Sequence, residues 1–168
     1  YWVMRRESFN LLRNKVNGLH TAPFIDDIAV KGEDLADFIC ELTPILEKYK
    51  LFYTIAGHVG EGNIHIIPLM NFETQENTVA NIKVIKEASH EVYQLVKKYQ
   101  GSITAEHNDG LIRTPFLNYM FDKDMLNLFK KVKNIFDPNN ILNPGKKVPL
   151  SEDVDIEFNR NLSFLRKF

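Results

Sequence analysis

The stretch Gly57-His58-Val59-Gly60-Glu61-Gly62-Asn63-Ile64-His65 most constrains what this chain can fold into. Apolar, strand-like residues run up to it through Tyr53-Thr54-Ile55-Ala56, and away from it from Ile64 to Leu69. Two such runs joined by a short Gly-rich loop read as a β-hairpin. If the hairpin closes symmetrically, His58 and His65 become cross-strand neighbours. Directly opposed residues have Cβ atoms about 4.5–5.5 Å apart, so both imidazoles could reach one ion. The competing reading is a surface turn that happens to carry two polar side chains. The pair alone leaves both open.

At 168 residues the chain suits one compact domain with a proper core. Twenty-one basic residues against twenty-two acidic ones give no electrostatic reason to expect nucleic acid as a partner. No apolar run approaches the roughly 18 residues of a membrane span. The start, Tyr1-Trp2-Val3-Met4-Arg5-Arg6, has neither an initiator Met nor an apolar signal-peptide core. A processed chain or a piece of a longer one is expected. Cys40 is the single cysteine, which excludes an internal disulfide and any cysteine-held cluster. Its apolar helical setting predicts a buried thiol, and a cytoplasmic location fits such sparse cysteine use.

Along the chain, Trp2, Phe9, Leu12 and Val16 have helix-like spacing, with Asn17-Gly18 as a stop. Strands are expected near 25–30, 51–58, 63–69 and 102–105. A helix is predicted over 33–49, interrupted by Pro44, and others over 78–99 and 122–136. Asp137-Pro138-Asn139-Asn140 and Asn143-Pro144-Gly145-Lys146 read as turns. After Pro149 the pattern weakens, so 149–168 reads as a C-terminal tail with a short amphipathic stretch at 162–165. This order predicts an α+β fold whose small, mainly antiparallel sheet is covered by helices on one face.

Zinc and manganese accept imidazole and carboxylate ligands, and catalytic sites leave a position open. His58 and His65 could supply two ligands and Glu106 a third from another strand. Adjacent residues of a strand point to opposite faces. Glu106 and His107 can therefore share one site only if the backbone turns there, which Asn108-Asp109-Gly110 would allow. His20 and His90 read as ordinary structural histidines, with no partner visible for His90. Asp109 reads as a turn residue. The glycines at 57, 60 and 62 do not open a helix after a parallel strand, so a dinucleotide loop is a poor fit.

Three motifs in register resemble one family. Gly57 to His65 is similar to the G-H-x-G-[DE]-G-N-x-H motif of the C-terminal domain of FAD-linked oxidases, the group of glycolate oxidase, D-lactate dehydrogenase and D-2-hydroxyglutarate dehydrogenase. Gly101-Ser102-Ile103-Thr104-Ala105-Glu106-His107 resembles their G-[ST]-[IV]-[ST]-x-E-H. Asp137 to Lys146 resembles D-P-x-x-[IL]-L-N-P-G-K, and Trp2-x-x-Arg5 their W-x-x-R opening. The match runs from residue 2 to about 147.

The resemblance implies a ferredoxin-like fold over residues 1–148 and oxidation of a D-2-hydroxy acid to the 2-oxo acid with FAD. It implies His58, His65 and Glu106 as ligands of a divalent metal, zinc or manganese. It casts His107 as general base, Arg5 as the holder of the substrate carboxylate, and Asn143 as a residue near the flavin. The implied partners are the substrate and an N-terminal FAD-binding domain, and a homodimer is open. Asn108 stands where many relatives have Gly. Ile67 and Ile25 stand where hydroxyglutarate-type members carry Asn and Lys, which favours a simpler or bulkier hydroxy acid. Two other readings are a self-contained metal hydrolase and a non-catalytic ferredoxin-like interaction module.

Overall fold

The computed structural model describes Val3 and residues 18–163; Trp2, Arg5 and the expected first helix lie outside the described residues, as does 164–168. Four strands form one antiparallel sheet: β1 (His20–Thr21), β2 (Ile28–Ala29), β3 (Phe52–His58) and β4 (Asn63–Met70). β4 is central. β3 pairs with it along one edge, while β2 and β1 pair with the two ends of its other edge. A further antiparallel bridge joins Ala29 to Ser102. Reading across gives Ser102, β2, β4, β3, the ferredoxin-like order of a β-α-β-β-α-β unit. The α+β expectation holds. The strands expected at 25–30 and 102–105 are shorter than predicted, because the chain turns at Asp27, whose φ is +64°, and bends again after Ser102.

α1 (Leu35–Lys48) buries Leu35, Phe38, Leu42 and Leu46, spaced three or four residues apart along one face. It continues through Pro44 rather than breaking there. Pro44 and Cys40, four residues earlier, are both exposed, so the carbonyl freed by the missing N–H lies on the solvent side while the buried leucines hold the helix. The same geometry corrects the expectation for Cys40, which is exposed because it sits opposite Phe38 and Leu42.

α2 (Gln75–Lys98) begins three residues earlier than predicted, because the Thr74 hydroxyl caps it by accepting the Asn77 N–H at 3.1 Å. Its buried face carries Ile82, Ile85, Val92, Leu95 and Val96, and the Tyr93 hydroxyl donates to the Phe24 carbonyl at 2.7 Å. These residues close over Ile64, Ile66 and Met70 of β4, together with α1, to make the main core. The opposite face of β4 carries Asn63, His65, Ile67 and Leu69.

A short helix α3 (Gly110–Arg113) leads into a 3-10 turn over Thr114–Tyr119 that starts around Pro115. Next, α4 (Lys123–Phe136) leaves Met125, Leu128, Val132, Ile135 and Phe136 exposed. A helix that the sequence pattern does not reveal, α5 (Val154–Asn161), precedes the expected stretch at 162–165, of which 164–165 lie outside the described residues. Asp153 caps it by accepting the N–H groups of Asp155 and Ile156, and Phe158 and Leu162 enter the main core. Two apolar residues one turn apart are too little periodicity to read from sequence.

Candidate functional site

The site is built at the turn end of the β3–β4 hairpin. Its register pairs Ala56 with His65 and His58 with Asn63. His58 and His65 are thus diagonal neighbours, not directly opposed as symmetric closure predicted. The turn explains the offset: Val59–Glu61 form a 3-10 turn, and the Gly62 N–H closes it on the Val59 carbonyl at 3.1 Å. The offset is two residues, so both rings stay on one face, with centroids 5.7 Å apart. Two glycines, one closing the turn and one in β3 beside it, allow this close approach. A Cβ on Gly62 would lie 1.9 Å from the Val30 carbonyl oxygen, and one on Gly57 2.4 Å from that of Asn63.

The second wall comes from the chain after the Ser102 bridge. The Glu106 Oε1 atom lies 3.3 Å from His58 Nε2, 3.1 Å from His65 Nε2 and 3.5 Å from His107 Nε2. The His65 and His107 ring centroids are 5.2 Å apart. Three imidazole nitrogens therefore converge on one carboxylate oxygen. The expected conflict between neighbouring Glu106 and His107 does not arise, since this segment bends rather than continuing as a strand. His65 is 15% exposed at its side chain, against 45% for His58, 46% for Glu106 and 58% for His107. The cluster is rooted at His65 and open on its other side.

Two acidic residues that sequence reasoning passed over hold this arrangement. Asp26 Oδ1 sits 3.0 Å from His65 Nδ1. An ionised carboxylate only accepts, so Nδ1 carries a proton and Nε2 is the nitrogen turned toward Glu106. Asp27, fully buried, accepts from the N–H groups of Ala105, Glu106 and His107, from the Thr104 hydroxyl and from the Asn63 amide. Burial pushes its carboxyl up, but the His107, Glu106 and Ala105 N–H groups and Asn63 outweigh it and hold the group below its usual range. The available signal was the pair of carboxylates inside the apolar run Phe24–Val30, because a buried charge requires partners.

Other residues frame the site. Arg113, 6% exposed, donates from Nη1 to the Asp26 carbonyl at 2.7 Å and from Nη2 to that of Asn108. Asn108 adopts φ +63°, a backbone that Gly or Asn accepts with little strain, so the departure from the family's Gly keeps the turn. Asp109 is more than a turn residue: it is buried and accepts from Lys147 Nζ at 2.7 Å, tying the 143–147 turn to the segment behind His107. Asn143 is exposed at φ +48°, and its amide oxygen accepts from Lys146 Nζ at 3.1 Å, outside the histidine cluster. His90 does have a partner, the Tyr119 hydroxyl at 2.8 Å. Ile25 is fully buried in the core and does not line the site, whereas Ile67 shares the His65 face of β4. Arg5 lies outside the described residues.

Facing lone pairs on His65 Nε2 and a carboxylate oxygen 3.1 Å away repel unless a cation or a proton lies between them. A set of imidazoles and carboxylate suits a divalent ion such as zinc or manganese, and the Asp26–His65 contact is the outer support that metal-binding histidines use. The residues fit a metal.

A family model described as FAD linked oxidases, C-terminal domain, matches residues 1–147. The chain belongs to this family. Among curated relatives of this FAD-linked oxidase domain, the D-2-hydroxyglutarate dehydrogenases of Haemophilus influenzae and Escherichia coli are 34% and 33% identical over 145 and 148 residues. Those alignments cover 86% and 88% of the chain but 14% of each relative. The glycolate oxidase protein GlcD of Bacillus subtilis is 28% identical over 128 residues, covering 76% of the chain and 26% of the relative. The domain thus spans about a seventh to a quarter of the length of these relatives.

Proposed function

We propose that the chain is the substrate- and metal-binding domain of an FAD-dependent dehydrogenase that oxidises a D-2-hydroxy acid to the 2-oxo acid. The observation that carries this reading is the convergence of His58, His65 and His107 on Glu106 Oε1, in a domain of this family. His58, His65 and Glu106 would hold a divalent ion, zinc or manganese, whose charge lowers the pKa of a hydroxyl it touches. The flavin, carried by the remainder of the protein and approached by Asn143, would accept the hydride.

His107 is the most exposed of the three imidazoles and is assigned the hydroxyl proton, which a neutral imidazole accepts as a general base. Arg5 is assigned the substrate carboxylate, for which a guanidinium fork offers two parallel donors. Ile67 on the His65 face of β4, in place of the Asn of hydroxyglutarate-type members, supports a monocarboxylic substrate of the lactate or glycolate type. The names of the Haemophilus and Escherichia relatives require that D-2-hydroxyglutarate be compared directly.

The test is anaerobic mixing of the intact protein with D-lactate, glycolate and D-2-hydroxyglutarate while following flavin absorbance. Bleaching fastest with a monocarboxylate supports the full reading. Preference for D-2-hydroxyglutarate rejects the substrate assignment alone. A protein without flavin that hydrolyses esters or amides when metal is added rejects the dehydrogenase reading.

A further inference from the structure

We infer that Asp27 is a positioning residue that turns Glu106 and His107 toward the same side of the site; this rests on the reading of those two residues proposed above. In an extended chain the two side chains would diverge. No helix or strand encloses the segment, whose nearest ladder contact is the Ser102 bridge. What curls it is one carboxylate. Asp27 Oδ2 receives the N–H groups of Ala105 at 3.0 Å, Glu106 at 3.1 Å and His107 at 2.8 Å, and the Thr104 hydroxyl at 3.2 Å. Donors from four successive residues thus wrap a single anion, as backbone nests do around a bound one. The Asp27 carbonyl adds a bond from the Ala105 N–H at 2.9 Å.

The same donors set Asp27 apart from the ligands. Its carboxylate lies within 4.8 Å of the donor atoms of His65, Glu106 and His107, close enough to resemble a fourth ligand. Yet Oδ1 already receives the Asn63 amide at 3.1 Å and the Glu106 N–H at 3.1 Å, Oδ2 has four donors, and the residue is fully buried. No lone pair is left to face an ion. Asp27 therefore acts through the backbone, and its negative charge is the feature that matters. An asparagine there offers one acceptor and turns an NH2 group toward N–H groups.

The test uses the intact protein, manganese(II) titration calorimetry and crystal structures of two variants. Asp27→Asn is expected to weaken manganese binding about 10- to 100-fold, as loss of outer support does. The double variant Asp27→Asn/Asn63→Asp restores a carboxylate–amide pair without returning the charge to the nest. It is expected to recover thermal stability but not manganese affinity. Affinity at the original level in either variant overturns the inference. Should Asp27→Asn not fold, the double variant alone decides. Wild-type protein that binds no manganese or zinc rejects the metal reading instead. In that case the variant structures still decide, with support from displacement of Glu106 or His107 away from His65, and contradiction from an unmoved pair.

Discussion

The imidazole Nδ1 of His65 meets Asp26 Oδ1 at 3.0 Å, so this ring is held in one orientation before any ligand arrives. Asp26→Ala should free the ring and weaken divalent-ion binding about 10- to 100-fold. Zinc or manganese titration of the intact protein checks this. Unchanged affinity would show that the contact is only structural.

The two glycines of the hairpin turn should differ sharply in their tolerance of a side chain. Gly62 adopts φ +66° with Val30 backbone against it, whereas a Cβ on Gly60 meets nothing within 4 Å. Gly62→Ala should cost roughly 1–3 kcal/mol or more, and Gly60→Ala less than about 0.5 kcal/mol. Denaturant unfolding of the two variants, side by side, measures the difference.

How much of this was legible in the sequence varies with the kind of interaction. Leu35, Phe38, Leu42 and Leu46, and the Ile82 to Val96 face, announced their helices by period alone, and the structure buries them. The hairpin was legible from its glycines, but its register was not. Register depends on how Val59–Gly62 close the turn, which composition does not encode. The roles of Asp26 and Asp27 were hidden because they bind residues about 40 and 80 positions away. Cys40 was misjudged because one step around a helix separates core from solvent.

The segment after Pro149 contributes to the core through α5. Phe158 is 1% exposed in the main core, while Leu128 on α4 is 50% exposed. Phe158→Ala should cost about 3–5 kcal/mol, and Leu128→Gln should stay within about 0.5 kcal/mol. Equal effects in thermal or denaturant unfolding would mean that α5 does not pack as described.

His90 makes stability depend on pH. Burial holds its imidazole below the ordinary value, with Asp155 opposing and Lys86 reinforcing the shift. The unfolded chain therefore binds this proton more readily than the folded one. The resulting stability is complete above the unfolded pKa of about 6.5 and falls away as pH drops toward the folded value. His90→Gln should flatten the decline below about pH 6.5 that unfolding curves register.

Above all, His65 is assigned to a site acting on the substrate rather than holding the flavin. The most direct measurement is hydroxy-acid-dependent flavin bleaching in the intact protein carrying His65→Ala. Full flavin content is predicted, with bleaching slowed at least about a hundredfold, the scale of a lost electrostatic contribution. Flavin lost on purification, or bleaching at the original rate, would contradict it.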